Sequence, residues 1–161
     1  LKDKIKIKHV IEDSNDKVNV DYPFYLLLNK REAKDTNDAS IISYFTYDHL
    51  TYLFMGDASK QIERQLMAKY DLKADVIKVG HHGSNTSSDP DFLDSLDCKI
   101  ALISCGYKNK YGHPSVETLK TLENLHINTL CTSDCGSIAI YSLHHLSFLV
   151  TNDGMFGIIW T

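Results

Sequence analysis

Three short apolar segments, separated by two helical patterns, constrain the fold of this chain more than any other feature. They occupy residues 74–79 (ADVIKV), 99–105 (KIALISC) and 127–132 (INTLCT). One intervening helix is predicted to begin at the Asp-Pro pair at 89–90, and the other follows the His-Pro pair at 113–114. Strands that alternate with helices are typical of a parallel sheet, so the sequence predicts an α/β layered fold.

Further strands are predicted on both sides of this region. Residues 39–47 and 49–55 are rich in β-branched and aromatic side chains and flank Asp48, which predicts an antiparallel hairpin. Residues 4–11 and 17–20 alternate charged and apolar side chains, as one-sided strands do. Three more short strand patterns close the sequence, at residues 136–141, 146–150 and 157–160.

Two of the predicted helices each have one apolar face that should pack against the sheet. After residue 58, the residues at helical spacing on that face are Ile62, Leu66, Met67 and Tyr70. In the helix that follows residue 114 they are Val116, Leu119 and Leu122. We expect both faces to be buried.

Composition limits the classes of protein that the chain can represent. Apolar residues make up 43% and charged residues 24%, which favours a folded domain, and residues 1–161 are predicted to form a single unit. The net charge of −4 without a basic tract argues against avid, sequence-independent binding of nucleic acid. No apolar stretch approaches the roughly 20 residues of a membrane-spanning helix. The close cysteine pair, Cys131 and Cys135, is expected to be two free thiols, with a disulfide or a metal site as the alternatives.

Polar clusters follow three of the predicted strands. Asp57 follows the strand that ends at residue 55, His81 and His82 follow the segment at 74–79, and His113 follows the next segment. Because the carboxyl ends of parallel strands meet at one edge of a sheet, we expect these side chains to converge there. A carboxylate and neutral imidazoles are ligands for zinc or manganese.

Each of these residues also has a purely structural interpretation. Asp57 could cap the helix that follows it, one of the histidines at 81–82 could be a core residue bonded to a carbonyl, and His113 could order a turn. The joint occurrence at three strand ends favours a site. The remaining histidines, at positions 9, 49, 126, 144 and 145, are interpreted as strand, turn or helix-end residues outside it.

Four stretches, at residues 37–59, 74–88, 99–122 and 132–141, occur in the order seen in metallo-β-lactamase-fold hydrolases. The combination of HHGS and YGHP resembles most closely the ComEC-like branch of that family, which includes the C-terminal domain of the DNA-uptake channel protein. The resemblance covers about two-thirds of the chain. It implies an αββα sandwich, of which this chain would hold the C-terminal half and some preceding strands.

The resemblance also implies roles for individual residues. Asp57 matches the metal-bridging aspartate of the family. His81 matches the late metal-binding histidine, with His82 as the alternative. His113 matches a histidine that contacts phosphate or donates a proton, and Asn37 and Ser40 match positions near the metal-bearing strands.

The chain departs from the family pattern in one respect. The early His-x-His-x-Asp-His loop that supplies most ligands of the first metal is absent, because no two histidines here are separated by a single residue. We therefore expect a fragment that binds metal weakly or not at all, since a catalytic metal needs about three protein ligands. The sheet face left without its other half should be covered by a dimer partner or by rearranged terminal strands.

The expected function is metal-dependent hydrolysis of a phosphoester, with zinc as the first candidate ion and manganese as the second. The substrate implied by the resemblance is DNA, and the acidic charge keeps a small phosphoester as a competitor. A stand-alone form would be cytoplasmic, and a form within a DNA-uptake channel protein would be membrane-associated. The alternatives are a non-catalytic binding or assembly module and a Ser–His hydrolase that uses Ser84 with His113, although the latter lacks a Gly-x-Ser-x-Gly elbow.

Overall fold

A computed structural model describes residues 18–28 and 36–159 of the chain. Within these residues it contains nine strands, four helices and one short 3₁₀ turn at Gly80–Gly83. In chain order the strands and helices are β1 (Phe24–Leu27), β2 (Ile42–Tyr47), β3 (Leu50–Phe54), α1 (Lys60–Lys69), β4 (Val76–Lys78), α2 (Pro90–Ser95), β5 (Ile100–Ile103), α3 (Val116–Asn124), β6 (Asn128–Cys131), α4 (Thr132–Cys135), β7 (Ile138–Leu143), β8 (Leu146–Thr151) and β9 (Phe156–Ile159). The strand predicted over residues 4–11 lies outside the described residues, and residues 18–20 are irregular rather than part of a second N-terminal strand.

Strands β1 to β6 form a six-stranded sheet in sequential order. The first three are antiparallel, which confirms the hairpin predicted around Asp48. Strands β3, β4, β5 and β6 are mutually parallel, as predicted from their alternation with helices. The α/β class is therefore confirmed, and the carboxyl ends of four strands lie along one edge.

One face of this sheet packs against the helices. Leu53 on β3 and Ile77 on β4 share a core with Leu66 on α1, Phe92 on α2 and Leu122 on α3. All five side chains are at most 1% exposed. Burial of each such side chain contributes roughly 1.5–3 kcal/mol, so this core fixes the helices that lead into and out of the loops at the sheet edge.

Two of the predicted helix faces need correction. Val116 is 68% exposed, and Leu119 and Met67 are both 38% exposed. In α3 the buried positions are Thr118 and Leu122, because Thr118 Oγ1 donates to Ser84 O at 3.0 Å and turns its side of the helix inward. The side of α3 that packs inward is therefore the side that donates a hydrogen bond to the Ser84 carbonyl, and not the side with Val116 and Leu119.

The other face of the six-stranded sheet is covered by the antiparallel sheet β7–β8–β9. Tyr52, Val76 and Ile100 from the large sheet pack against Leu149 and Ile159 from the small one. Of the two covers expected for this face, the terminal strands therefore occupy it. The small sheet's outer face carries exposed apolar side chains: Tyr141, Leu143, Leu146, Phe156 and Ile158.

The structure also bears on membrane-spanning helices and on the state of the close cysteine pair. No helix among them has the length and apolar character needed to cross a bilayer. Cys131 and Cys135 are free thiols, as expected, and both are buried around the short helix α4. Burial raises the pKa of Cys131 to about 11, so its thiol stays protonated and unreactive at neutral pH.

Candidate functional site at the carboxyl ends of the parallel strands

The loops that follow β3, β4 and β5 are joined at one edge of the sheet by backbone hydrogen bonds. The amide of His81 donates to the carbonyl of Gly56 at 3.0 Å, which links the first loop to the second. The amide of Ser115 donates to the carbonyl of Gly83 at 2.8 Å, which links the second to the third. The predicted convergence of the three polar clusters therefore occurs.

Asp57 is held in place by two residues that precede its strand. Ser40 Oγ accepts a hydrogen bond from the Asp57 amide at 2.8 Å and donates one to the carbonyl of Asn37 at 2.6 Å. Gly56 adopts φ +58°, and an added Cβ would lie 2.6 Å from Ser40 Cβ, so only glycine fits there. The helix-cap interpretation of Asp57 is wrong, because α1 has Ser59 as its N-cap.

The two adjacent histidines occupy a strained turn. His81 and His82 have φ values of 46° and 55°, in the left-handed region that costs a non-glycine residue roughly 1–2 kcal/mol. The glycines on either side allow close packing: a Cβ on Gly80 would lie 2.8 Å from the carbonyl oxygen of Ala58. Backbone strain of this kind persists where surrounding structure enforces it, and it is concentrated at functional sites.

His82 is the histidine that faces Asp57. Its Nδ1 lies 2.6 Å from the carbonyl oxygen of Ser104, which can only accept, so Nδ1 carries the proton. Its Nε2 then points at Asp57 Oδ1, 3.6 Å away. With Nδ1 as the donor, the lone pair of Nε2 faces the carboxylate, and the two half-exposed side chains present a pair of acceptor atoms to a cation or to a bridging water.

His81 and His113 form the second part of the site. Their ring centroids are 5.8 Å apart in an edge-on arrangement, and His81 Nδ1 lies 3.1 Å from Thr86 Oγ1. Desolvation lowers the pKa of His113, and the positive charges that His81 and His82 can carry lower it further. The His113 imidazole is therefore neutral at pH 7 and can donate one proton and accept another.

A small cavity of about 210 Å³ opens beside His113. Its walls include His82 and Tyr111, and the Tyr111 ring stacks on His113 with a centroid separation of 5.9 Å. Asn109 fixes the His113 backbone, since its side chain accepts from the His113 amide and donates to the His113 carbonyl. The imidazole therefore sits on an ordered loop, at a position where a small anionic group could reach it.

Lys78 is a residue of this region that the sequence interpretation missed. It lies at the end of β4 and is partly buried in a cavity of about 270 Å³ with Phe54 and Leu102. Burial lowers the pKa of Lys78, and the negative charge of Asp57 opposes that effect. A lysine inside an otherwise apolar central strand was the available signal, because such a charge is rarely buried without a purpose.

The Ser–His alternative has no geometric support. Ser84 is 4% exposed, and its hydroxyl contacts Asn85 and Thr86. Its carbonyl accepts from Thr118, so the residue closes the loop rather than facing His113.

Asp57 and His82 supply two donor atoms at a separation that one ion could bridge. A catalytic metal needs about three protein ligands, and among the described residues these loops bring no third donor within ligand spacing. The described residues therefore do not complete a metal site here. Among residues 18–28 and 36–159, one group of three candidate ligands has the spacing of a metal site. It consists of Asp48, His49 and His145 and lies at the opposite end of β3.

The fold and this site define an α/β protein with imidazole and carboxylate groups gathered at the carboxyl ends of its parallel strands. No protein-family model matches the chain. It is 35% identical over 122 residues to ComE operon protein 3 of Bacillus subtilis (73% of this chain, 16% of that protein) and 33% identical over 121 residues to Competence protein ComA of Neisseria gonorrhoeae (74% and 17%). It is also 32% identical over 88 residues to Recombination protein 2 of Haemophilus influenzae (55% and 11%).

These similarities relate the chain to a competence-associated, ComEC-like group of proteins. The chain spans about a sixth of the length of the first two relatives.

Proposed function

We propose that the chain is the C-terminal part of a phosphodiester-hydrolysing domain of the metallo-β-lactamase type, within a longer protein of DNA uptake. The names of its relatives support the competence role. The observation that carries the chemical part is the 3.6 Å approach of His82 Nε2 to Asp57 Oδ1, because the two atoms face each other at a spacing close to that of two ligands of one cation. DNA is the proposed substrate, and a small phosphoester is the competitor within the same chemistry.

The layer order supports this fold assignment. A helix layer, a six-stranded sheet and a second sheet are three of the four layers of an αββα sandwich. The fourth layer would cover the exposed apolar face of β7–β9, which includes Tyr141 and Phe156. We propose that the remainder of the longer protein, or a second copy of the chain, covers that face, since contiguous apolar surface of this kind marks an interaction site.

Zinc or manganese is the ion proposed for the longer protein, which would have to add the missing ligands. The chain's own residues have roles that do not depend on the ion. His113, neutral at pH 7, would donate a hydrogen bond to a phosphoryl oxygen or protonate the leaving oxygen. Lys78 would attract the phosphate charge, and Ser104 O would keep His82 Nε2 directed at Asp57.

The test is hydrolysis of bis(p-nitrophenyl) phosphate and of single-stranded DNA by the longest natural polypeptide, with added zinc or manganese. Asp57→Asn and His82→Ala should each lower kcat/KM by at least about 100-fold, and His113→Ala should lower kcat more than it changes KM. His126→Ala, at the end of α3, is the matched control and should leave the rate unchanged. Full activity in both Asp57→Asn and His82→Ala would contradict the proposal.

A non-catalytic module is the second candidate, and the shortage of metal donors at Asp57 favours it. Such a module would bind DNA or a phosphate group at the same edge without cleaving it. Binding of a fluorescent oligonucleotide that depends on Lys78 and His113, without hydrolysis by the longest polypeptide at any metal concentration, would select this function.

A further inference from the structure

We propose that Asp48, His49 and His145 form a second site, for one divalent transition-metal ion such as zinc, which fastens the two sheets together. We call these three residues the hairpin cluster. They lie at the amino end of β3, whereas Asp57 follows its carboxyl end, so the cluster is separate from the site described above.

The cluster joins turns that are far apart in sequence. Asp48 and His49 form the turn between β2 and β3 in the large sheet, and His145 lies in the turn between β7 and β8 in the small sheet. The His145 amide donates to Asp48 Oδ2 at 3.1 Å across 97 residues of sequence. The two turns are therefore already docked, and the carboxylate is oriented by a backbone donor, as second-shell hydrogen bonds orient metal ligands.

The donor atoms have the spacing of a metal site. His49 Nδ1 lies 3.2 Å from Asp48 Oδ2, His145 Nδ1 lies 3.8 Å from Asp48 Oδ1, and all three ligand atoms can be chosen within 4.8 Å of one another. Ligands on one tetrahedral ion with bonds of about 2.1 Å are about 3.4 Å apart. The His145 side chain is 82% exposed, so it has room to rotate towards the other two donors.

The chemistry of the donors indicates the ion. Two imidazoles and one carboxylate are a common ligand set for zinc, and they leave a fourth position for water. Calcium and magnesium prefer ligand sets made of oxygen, so they are not the ions expected at this cluster. The side chains of Asp48 and His49 are only 24% and 12% exposed, which gives the ion two ordered ligands and one that closes from solvent.

A bound ion here would stabilise the docking of the small sheet, because it would bind the folded chain and not the separated turns. The proposal does not depend on any catalytic activity. It can therefore hold or fail whatever the outcome at Asp57.

The test is zinc titration of the chelator-treated chain by calorimetry, with cobalt absorption spectra as the probe of ligand geometry. Zinc should bind the hairpin cluster with one ion per chain and raise the temperature of thermal unfolding. His145→Gly and His49→Ala should each weaken this binding by more than about 10-fold. His144→Gly is the matched control, since residues 144 and 145 both have positive φ, which glycine adopts without strain, and it should bind as the parent does.

Asp57→Ala separates the two sites, because it should leave the hairpin-cluster binding intact. Two results would show that the hairpin cluster is only a hydrogen-bonded contact and that the inference is wrong. One is a dissociation constant for zinc weaker than about 0.1 mM. The other is zinc binding that is unchanged in both His145→Gly and His49→Ala.

Discussion

Glu63 on α1 gives the most quantitative test of how the site is supported. Its side chain is 1% exposed, and its two carboxylate oxygens accept hydrogen bonds from the amides of Ser88 at 2.9 Å and Asp89 at 2.7 Å. These amides close the loop that begins at His81, so Glu63 holds that loop against α1. Burial raises the pKa of Glu63 from its ordinary 4.5 to about 7, although the two amide hydrogen bonds oppose the shift.

The direction of the pH effect follows from this difference. A carboxyl group with a higher pKa in the folded state binds its proton more tightly when the chain is folded. The free energy of unfolding therefore decreases as the pH rises from 4.5 to about 7. Over this pH interval the free energy of unfolding decreases by about 3 kcal/mol, at about 1.36 kcal/mol per pH unit.

The assay is urea denaturation at several pH values between 4.5 and 8, with Glu63→Gln compared with the parent chain. At pH 4.5 the Glu63 carboxyl is protonated, so the parent and the glutamine each turn one donor group towards a backbone amide, and their free energies of unfolding should agree to within about 1 kcal/mol. The glutamine cannot titrate, so the parent should lose about 3 kcal/mol relative to Glu63→Gln towards pH 8. Glu117→Gln is the matched control, because Glu117 forms an exposed ion pair with Lys60 that is worth little.

A difference between the parent and Glu63→Gln that stays constant within about 0.5 kcal/mol across this pH range would refute the reasoning, since additive effects agree to about that amount. It would mean that the two amide hydrogen bonds outweigh desolvation and keep Glu63 ionised throughout.

Two further predictions concern the loops of the site. Gly83→Ala should lower the free energy of unfolding by about 2–4 kcal/mol in urea, because φ is +78° and the new Cβ would lie 2.8 Å from Pro114 Cβ. Gly112→Ala, with φ +68° and no atom within 4 Å of the new Cβ, should cost only about 1–2 kcal/mol, and equal costs would show that contact with Pro114 is unimportant. Ser40→Ala should remove the acceptor of the Asp57 amide. For a hydrogen bond of about 1.4 kcal/mol, hydrogen exchange of that amide, measured by NMR, should become about 10-fold faster. An unchanged exchange rate would mean that another group protects this amide.

The sheet could be predicted from sequence because its strands are short, apolar and separated by helices. The pattern that identified β4, β5 and β6 depends on burial of both faces, which holds in the structure because helices cover one face and β7–β9 the other. The inward face of α3 could not be predicted in the same way. Val116 and Leu119 have the right spacing, but the loop carbonyl of Ser84 needs a hydrogen-bond donor, and Thr118 supplies it.

The convergence of the site residues could also be predicted, because strand polarity alone places them at one edge. Which histidine faces Asp57 could not be predicted, because left-handed backbone at residues 81 and 82 removes the regular alternation of side chains. The hairpin cluster gave no local signal at all. His49 and His145 are far apart in sequence, and only the packing of one sheet on the other brings them together.

The strained turn at Gly80–Gly83 is explained by polar groups buried beneath it. Two left-handed residues, His81 and His82, cost together roughly 2–4 kcal/mol. Ser87 Oγ lies 2.8 Å from the carbonyl of Gly80, and Glu63 accepts the next two amides along the chain. These bonds fix the backbone on the carboxyl side of the turn, and such surrounding structure is what lets strained backbone persist. The turn therefore directs His82 at Asp57 only while this buried support is intact, and a change at Glu63, far from any substrate, should disturb the site through the backbone alone.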